Sequence, residues 1–95
     1  MTVDEFRASL SAVEPPAVSA ALRALWQDAR GNWEAAHTLA QAIEDATGAR
    51  VHAYLHRKEG DLANAAYWYR QAEQPVATDA LTAEWERLVA ELLQS

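Results

Sequence analysis

With 95 residues, a formal charge of −6 at pH 7 and no cysteine, the chain has the length for one modest core, and disulfides, thiolate metal sites and cysteine nucleophiles are excluded. The acidic balance opposes a polyanionic partner, so nucleic acid is not expected. Met1 to Arg7 lacks a basic region followed by an apolar run, and no later apolar stretch approaches the roughly 20 residues that span a bilayer, so a cytoplasmic protein without membrane contact is expected.

Pro15-Pro16, Gly31, Gly48, Gly60 and Pro75 punctuate the chain into six segments. In the first, Thr2 and Glu5 stand at capping-box spacing and Val3, Phe6, Leu10 and Val13 recur at helical intervals, which predicts a helix over 2–13. Pro16 suits the first turn of a second helix, whose Leu22, Leu25, Trp26 and Ala29 share a face before Gly31 closes it. Asn32 can cap a third, with Trp33, Ala36, Leu39, Ala40 and Ile43 on its apolar side and Thr47-Gly48 as its stop. A fourth is expected over 49–59, carrying Val51, Tyr54 and Leu55 inward. Asp61 caps a fifth, with Leu62, Ala65, Trp68, Tyr69 and Ala72 inward and Gln74-Pro75 at its end; a sixth carries Leu81, Trp85, Leu88 and Leu92. No segment alternates apolar and polar residues for long, so the fold class is all-α. Short connections predict antiparallel helical hairpins in a single domain: a capping helix over 1–14, a first hairpin over 16–46, a second over 49–74 and a final capping helix over 78–95.

The chain also repeats itself. Gly31-Asn32-Trp33-Glu34-Ala35-Ala36 returns as Gly60-Asp61-Leu62-Ala63-Asn64-Ala65, 29 positions later, and Val51, Tyr54 and Leu55 stand one such period after Leu22, Leu25 and Trp26. A period of this size marks stacked supersecondary units. The glycine turn followed by small residues, Gly60, Asp61, Ala65, Tyr69 and Ala72 in one copy and Gly31, Asn32, Ala36, Ala40 and Ile43 in the other, resembles the tetratricopeptide repeat. It departs from that family in a period of 29 against about 34, and in placing Arg23, Ala24 and Gln27, or His52, Ala53 and His56, where the family has a large, small and aromatic set. The string Val51 to Asp61 is likewise similar to small bacterial helical-repeat proteins, which implies a bacterial origin.

The resemblance implies a short right-handed array of about six helices that works without catalysis, by binding a partner protein or by self-association as a homodimer. Carried over by position, the ligand-facing surface holds Arg50, Tyr54, Arg57 and Lys58, a basic and aromatic patch suited to an acidic peptide through bidentate arginine contacts and a rigid aromatic surface.

A second reading comes from the histidines. His52 and His56 are one helical turn apart, and two imidazoles on one helix face can share a transition-metal ion, with His37 on the preceding helix as a third ligand. The same residues also fit histidines packed at a helix interface beside Tyr67, Trp68 and Tyr69. The four tryptophans read as hydrophobic payload for a small core. No serine stands in a sharp GxSxG-like turn, the glycines are too sparse for a phosphate loop, and the carboxylates are read as dispersed over outer faces. Neither an enzyme nor a cofactor is expected.

Overall fold

Thr2 starts the first helix as its spacing requires. The Glu5 amide donates to Thr2 Oγ1 at 3.1 Å, and Glu5 Oε1 accepts from the Thr2 amide at 2.8 Å. In a computed structural model that describes residues 1–94, six α-helices follow one another: α1 (Val3–Ala8), α2 (Ala20–Ala29), α3 (Trp33–Gln41), α4 (Ala46–Glu59), α5 (Leu62–Gln71) and α6 (Leu81–Leu93). No strand occurs among the described residues. The all-α class holds, and no helix is long and apolar enough to cross a membrane.

Three boundaries differ from the sequence reading. The helix expected to reach residue 13 stops at Ala8 and gives way to a 3-10 turn over Ser9–Ser11, leaving Val13 93% exposed. Ser9 and Ser11 turn their hydroxyls back onto the carbonyls of Phe6 and Ala8, the local bonding by which serine competes with helix continuation. Pro15 and Pro16 lie outside any helix, and α2 begins instead at Ala20 behind the Ser19 cap, whose Oγ accepts from the Leu22 amide. The third difference is the largest: α3 ends at Gln41, while α4 starts at Ala46 behind an Asp45 cap that accepts from the Gly48 amide at 3.1 Å. Gly48 is therefore inside α4. A Cβ there would collide with the carbonyl oxygen and Cβ of Ile43, so the glycine permits the tail of α3 to lie against the first turn of α4.

The two glycine turns are the same object built twice. Gly31 and Gly60 take left-handed φ values of 86° and 90°. The amides of Asn32 and Asp61 reach back to the carbonyls of Gln27 and His56, and those of Gly31 and Gly60 to Asp28 and Arg57. Both helix ends are Schellman closures, offset by the 29 residues seen in the sequence. The following helices differ, because Asp61 caps α5 through the Asn64 amide whereas the Asn32 side chain bonds Gln27 rather than the backbone of α3.

The most extensive helix contacts are α2 with α3 and α4 with α5, while α6 closes on α1, α2 and α4. Phe6, Leu25, Trp26, Val51, Leu55 and Val89 are at most 1% exposed and form the centre of the main core. Indole N–H groups tie its layers, Trp33 donating to the Leu55 carbonyl at 2.9 Å and Trp85 to that of Leu25 at 3.0 Å. A smaller cluster of Ala53, Ala65 and Tyr69 lies between α4 and α5, with Trp68 packed against it. The radius of gyration is 12.2 Å, close to the roughly 12 Å expected of one packed body of this length.

Candidate metal centre

The residues assigned to a peptide-gripping patch face their own chain. Tyr54 is 2% exposed and donates its hydroxyl to Asp28 Oδ2 at 3.1 Å, so it is core and offers no surface contact. Lys58 Nζ meets Asp28 Oδ1 at 3.0 Å, Arg57 Nη1 meets Glu84 Oε1 at 2.7 Å, and Arg50 Nη2 meets Glu91 Oε2 at 2.6 Å. Arg57 also donates to the Asp79 carbonyl.

Nor are the acids all on outer faces: Asp28 and Glu84 are each 2% exposed. The reason is that α4 packs against both α2 and α6 and carries a countercharge for each, Lys58 for Asp28 and Arg57 for Glu84. Each buried carboxylate also accepts from a tyrosine, Tyr54 in one case and Tyr69, at 2.6 Å, in the other. Burial and the adjacent carboxylate push both phenols well above the usual tyrosine range.

The histidines do converge. His52 and His56 project from one face of α4, and their rings stack with centroids 4.8 Å apart. Packing of α3 on α4 brings His37 onto the same spot, with its Nε2 2.9 Å from His52 Nε2. Each of the three offers a ring nitrogen within 4.8 Å of the others. His52 and His56 are 5% and 7% exposed, and His37 is half-buried. Two tryptophans hold the rings in place: Trp33 stacks on His37 at 4.9 Å and Trp68 on His52 at 4.0 Å, with interplanar angles of 12° and 11°. The sequence reading took the tryptophans as payload for the core and set the histidines beside Trp68. Trp33 and Trp68 both stand half-buried, packed against the core clusters on one side and against the trio on the other.

Hydrogen bonding constrains the protonation states. A contact between two ring nitrogens needs one N–H and one lone pair, so the accepting ring of the His37–His52 pair is neutral. Burial first, and then the neighbouring imidazoles, depress the proton affinity of both, His52 to a pKa of about 4. On His56, Nδ1 lies 2.6 Å from Glu59 Oε1 and donates to it, which leaves Nε2 as an acceptor, 3.3 Å from Asn64 Nδ2. A carboxylate behind one imidazole nitrogen fixes the ring and raises the basicity of the other, the outer-shell arrangement of metal-bound histidines.

These residues fit a borderline-soft divalent ion. Zinc–nitrogen bonds of about 2.0–2.1 Å in a tetrahedron set ligand nitrogens roughly 3.3 Å apart, against the 2.9 Å of the His37–His52 contact. An ion there requires the His37 and His52 nitrogens to part by a few tenths of an ångström and give up their shared proton, and His56 to turn inward from Asn64. Three neutral imidazoles and no thiolate suit zinc, copper or nickel, whereas magnesium and calcium require oxygen ligands.

The convergence of His37 was not readable from spacing, because it depends on how α3 meets α4. One signal pointed to the trio. At the 29-residue offset His52 answers to Arg23, His56 to Gln27 and His37 to Ala66, so all three histidines stand where the two copies disagree. Searches of protein-family models, curated proteins and solved structures gave no match to this chain.

Proposed function

We propose that the protein binds one divalent transition-metal ion of the zinc, copper or nickel class through His37, His52 and His56. The observation that supports this is the meeting of three imidazoles from α3 and α4, two of them joined by a mutual hydrogen bond and the third backed by Glu59. Burial lowers the proton affinity of His37 and His52, which favours the unprotonated form that a metal requires. The ion would pin α3 to α4 and so stabilise the helical body that carries it. The peptide-binding reading draws less support, since Arg50, Arg57 and Lys58 are each paired with an acid of the same chain.

The test is elemental analysis of untagged protein, followed by thermal denaturation with and without added zinc or nickel. A bound ion at 100 times its Kd adds about 2.7 kcal/mol to stability, and the melting temperature of a domain this size rises by roughly 4–8 °C per kcal/mol. His37→Ala, at the half-buried position, should abolish the shift while leaving the metal-free fold intact. An unshifted wild-type protein at millimolar metal overturns the proposal.

A further inference from the structure

Helix α4 turns its histidines towards α3 and, on its opposite side, Tyr54 and Lys58 towards Asp28 of α2. On that second side the elements leave a cleft of about 460 Å³, within the roughly 300–1,000 Å³ of small-molecule sites. We infer that this cleft binds an uncharged, largely apolar organic molecule through one carbonyl oxygen, which accepts a hydrogen bond from Lys58. The cleft shares no residue with the histidine trio, so the inference stands apart from the metal-binding reading.

The walls are apolar: Leu10 follows α1, Ala29 ends α2, and Leu81 and Trp85 come from the start of α6. Trp85 already donates its indole N–H to the Leu25 carbonyl at 3.0 Å, so what it adds to the wall is apolar ring surface. The charges around the cleft are matched in advance. Lys58 Nζ lies 3.0 Å from Asp28 Oδ1, and Arg7 Nη2 lies 2.7 Å from Glu86 Oε1. A ligand charged with either sign would lose its hydration without gaining an unpaired countercharge, and the cleft therefore selects against both.

What remains open is a hydrogen-bond donor. The Asp28 side chain is 1% exposed and accepts on both oxygens, from Lys58 and from Tyr54, so it has nothing to offer an incoming donor. Lys58 is different. Its ammonium group has three N–H groups, of which Asp28 takes one, and its side chain is 38% exposed. A carbonyl oxygen meets that donor without bringing a charge, while the apolar body of the ligand covers Leu10, Leu81 and Trp85.

The experiment is a nuclear magnetic resonance titration of the full, chelator-treated chain with benzylacetone and its near-isosteres butylbenzene, hydrocinnamate and phenylpropylamine. Benzylacetone should shift amide signals around the cleft, those of Leu10, Ala29 and Leu81 among them. It should bind about tenfold more tightly than butylbenzene, the scale of one hydrogen bond from a charged donor, and more tightly than either ion. Ala29→Phe, at an exposed position on the rim, should fill the cleft and abolish these shifts while the helices persist. Lys58→Met with Asp28→Asn removes the donor without leaving a buried charge, and should bring benzylacetone down to the affinity of butylbenzene. The ranking of the four compounds on wild-type protein tests the same point without any substitution. Equal affinity for benzylacetone and butylbenzene overturns the inference, as does tighter binding of either ion. Undiminished binding to Ala29→Phe also overturns it, and so does the absence of any shift at millimolar benzylacetone.

Discussion

His37 on α3 and His52 on α4 share one hydrogen bond between their Nε2 atoms at 2.9 Å, and that bond exists only while one of those two nitrogens carries no proton. A proton on the accepting nitrogen sets two N–H groups against each other in a site where His52 is 5% exposed. Folding thus holds His52 at a pKa of about 4, against 6.5 for the free side chain. Between these values the unfolded chain binds a proton that the native chain refuses, so stability rises with pH across the window and is lost as pH falls from 6.5 towards 4. In chelator-treated protein the urea midpoint should fall through this range. His52→Gln should flatten the fall, the carboxylates common to both chains contributing equally. Parallel curves for the two proteins would refute the assignment.

Glu84 carries a heavier structural load than any exposed acid, since its buried carboxylate accepts from both Arg57 and Tyr69. Glu84→Gln removes the charge that Arg57 faces and should cost about 3 kcal/mol, the scale for breaking one half of a buried ion pair. Arg57→Met combined with Glu84→Met should recover most of that loss, because no uncompensated charge remains. Urea denaturation of the three proteins checks this. Additive losses in the paired variant would show that the two side chains do not act as a unit.

How much of this was legible follows from where each partner sits in the chain. The helices and the turns at Gly31 and Gly60 depend on residues within one or two turns of one another, so apolar periodicity and a glycine after it locate them. Asp28 was misread as a surface acid because its partners, Tyr54 and Lys58, lie 26 and 30 residues away. Glu84 was misread for the same reason, with Arg57 27 residues distant. The candidate site divides in the same way. His52 and His56 were paired by their one-turn spacing, whereas His37 joins them only through helix packing. Gly48 belongs with the misreadings: Thr47-Gly48 has the composition of a helix stop, and only the position of Ile43 shows it to be a close approach.

That contact makes the glycines unequal in a measurable way. Gly60→Ala meets nothing within 4 Å and pays only for a φ of 90°, a cost of about 1–2 kcal/mol. Gly48→Ala keeps a helical backbone but drives its Cβ into Ile43, and overpacking of this kind costs roughly 1–3 kcal/mol. Because the colliding atoms include backbone, the upper end of that range applies, and Gly48→Ala should be the less stable of the two. The reverse order in thermal denaturation would place Ile43 away from α4. A metal-binding deficit in Gly48→Ala would accompany the loss, since the same contact sets the approach of α3 that delivers His37.

The alkaline limit of the fold should be set by the two buried phenols. Tyr54 and Tyr69 are held above the ordinary tyrosine value of 10, by burial first and then by Asp28 and Glu84. A raised folded pKa means that the unfolded chain releases protons which the native chain keeps, so this contribution is intact below pH 10 and declines as pH rises beyond it. In a Tyr67→Phe background Tyr54 and Tyr69 are the only tyrosines. Phenolate absorbance in that variant should then develop together with loss of the helical circular dichroism signal. Phenolate forming while the helices persist would mean that at least one hydroxyl reaches solvent in the native state, and the corresponding carboxylate would no longer be sealed beneath it.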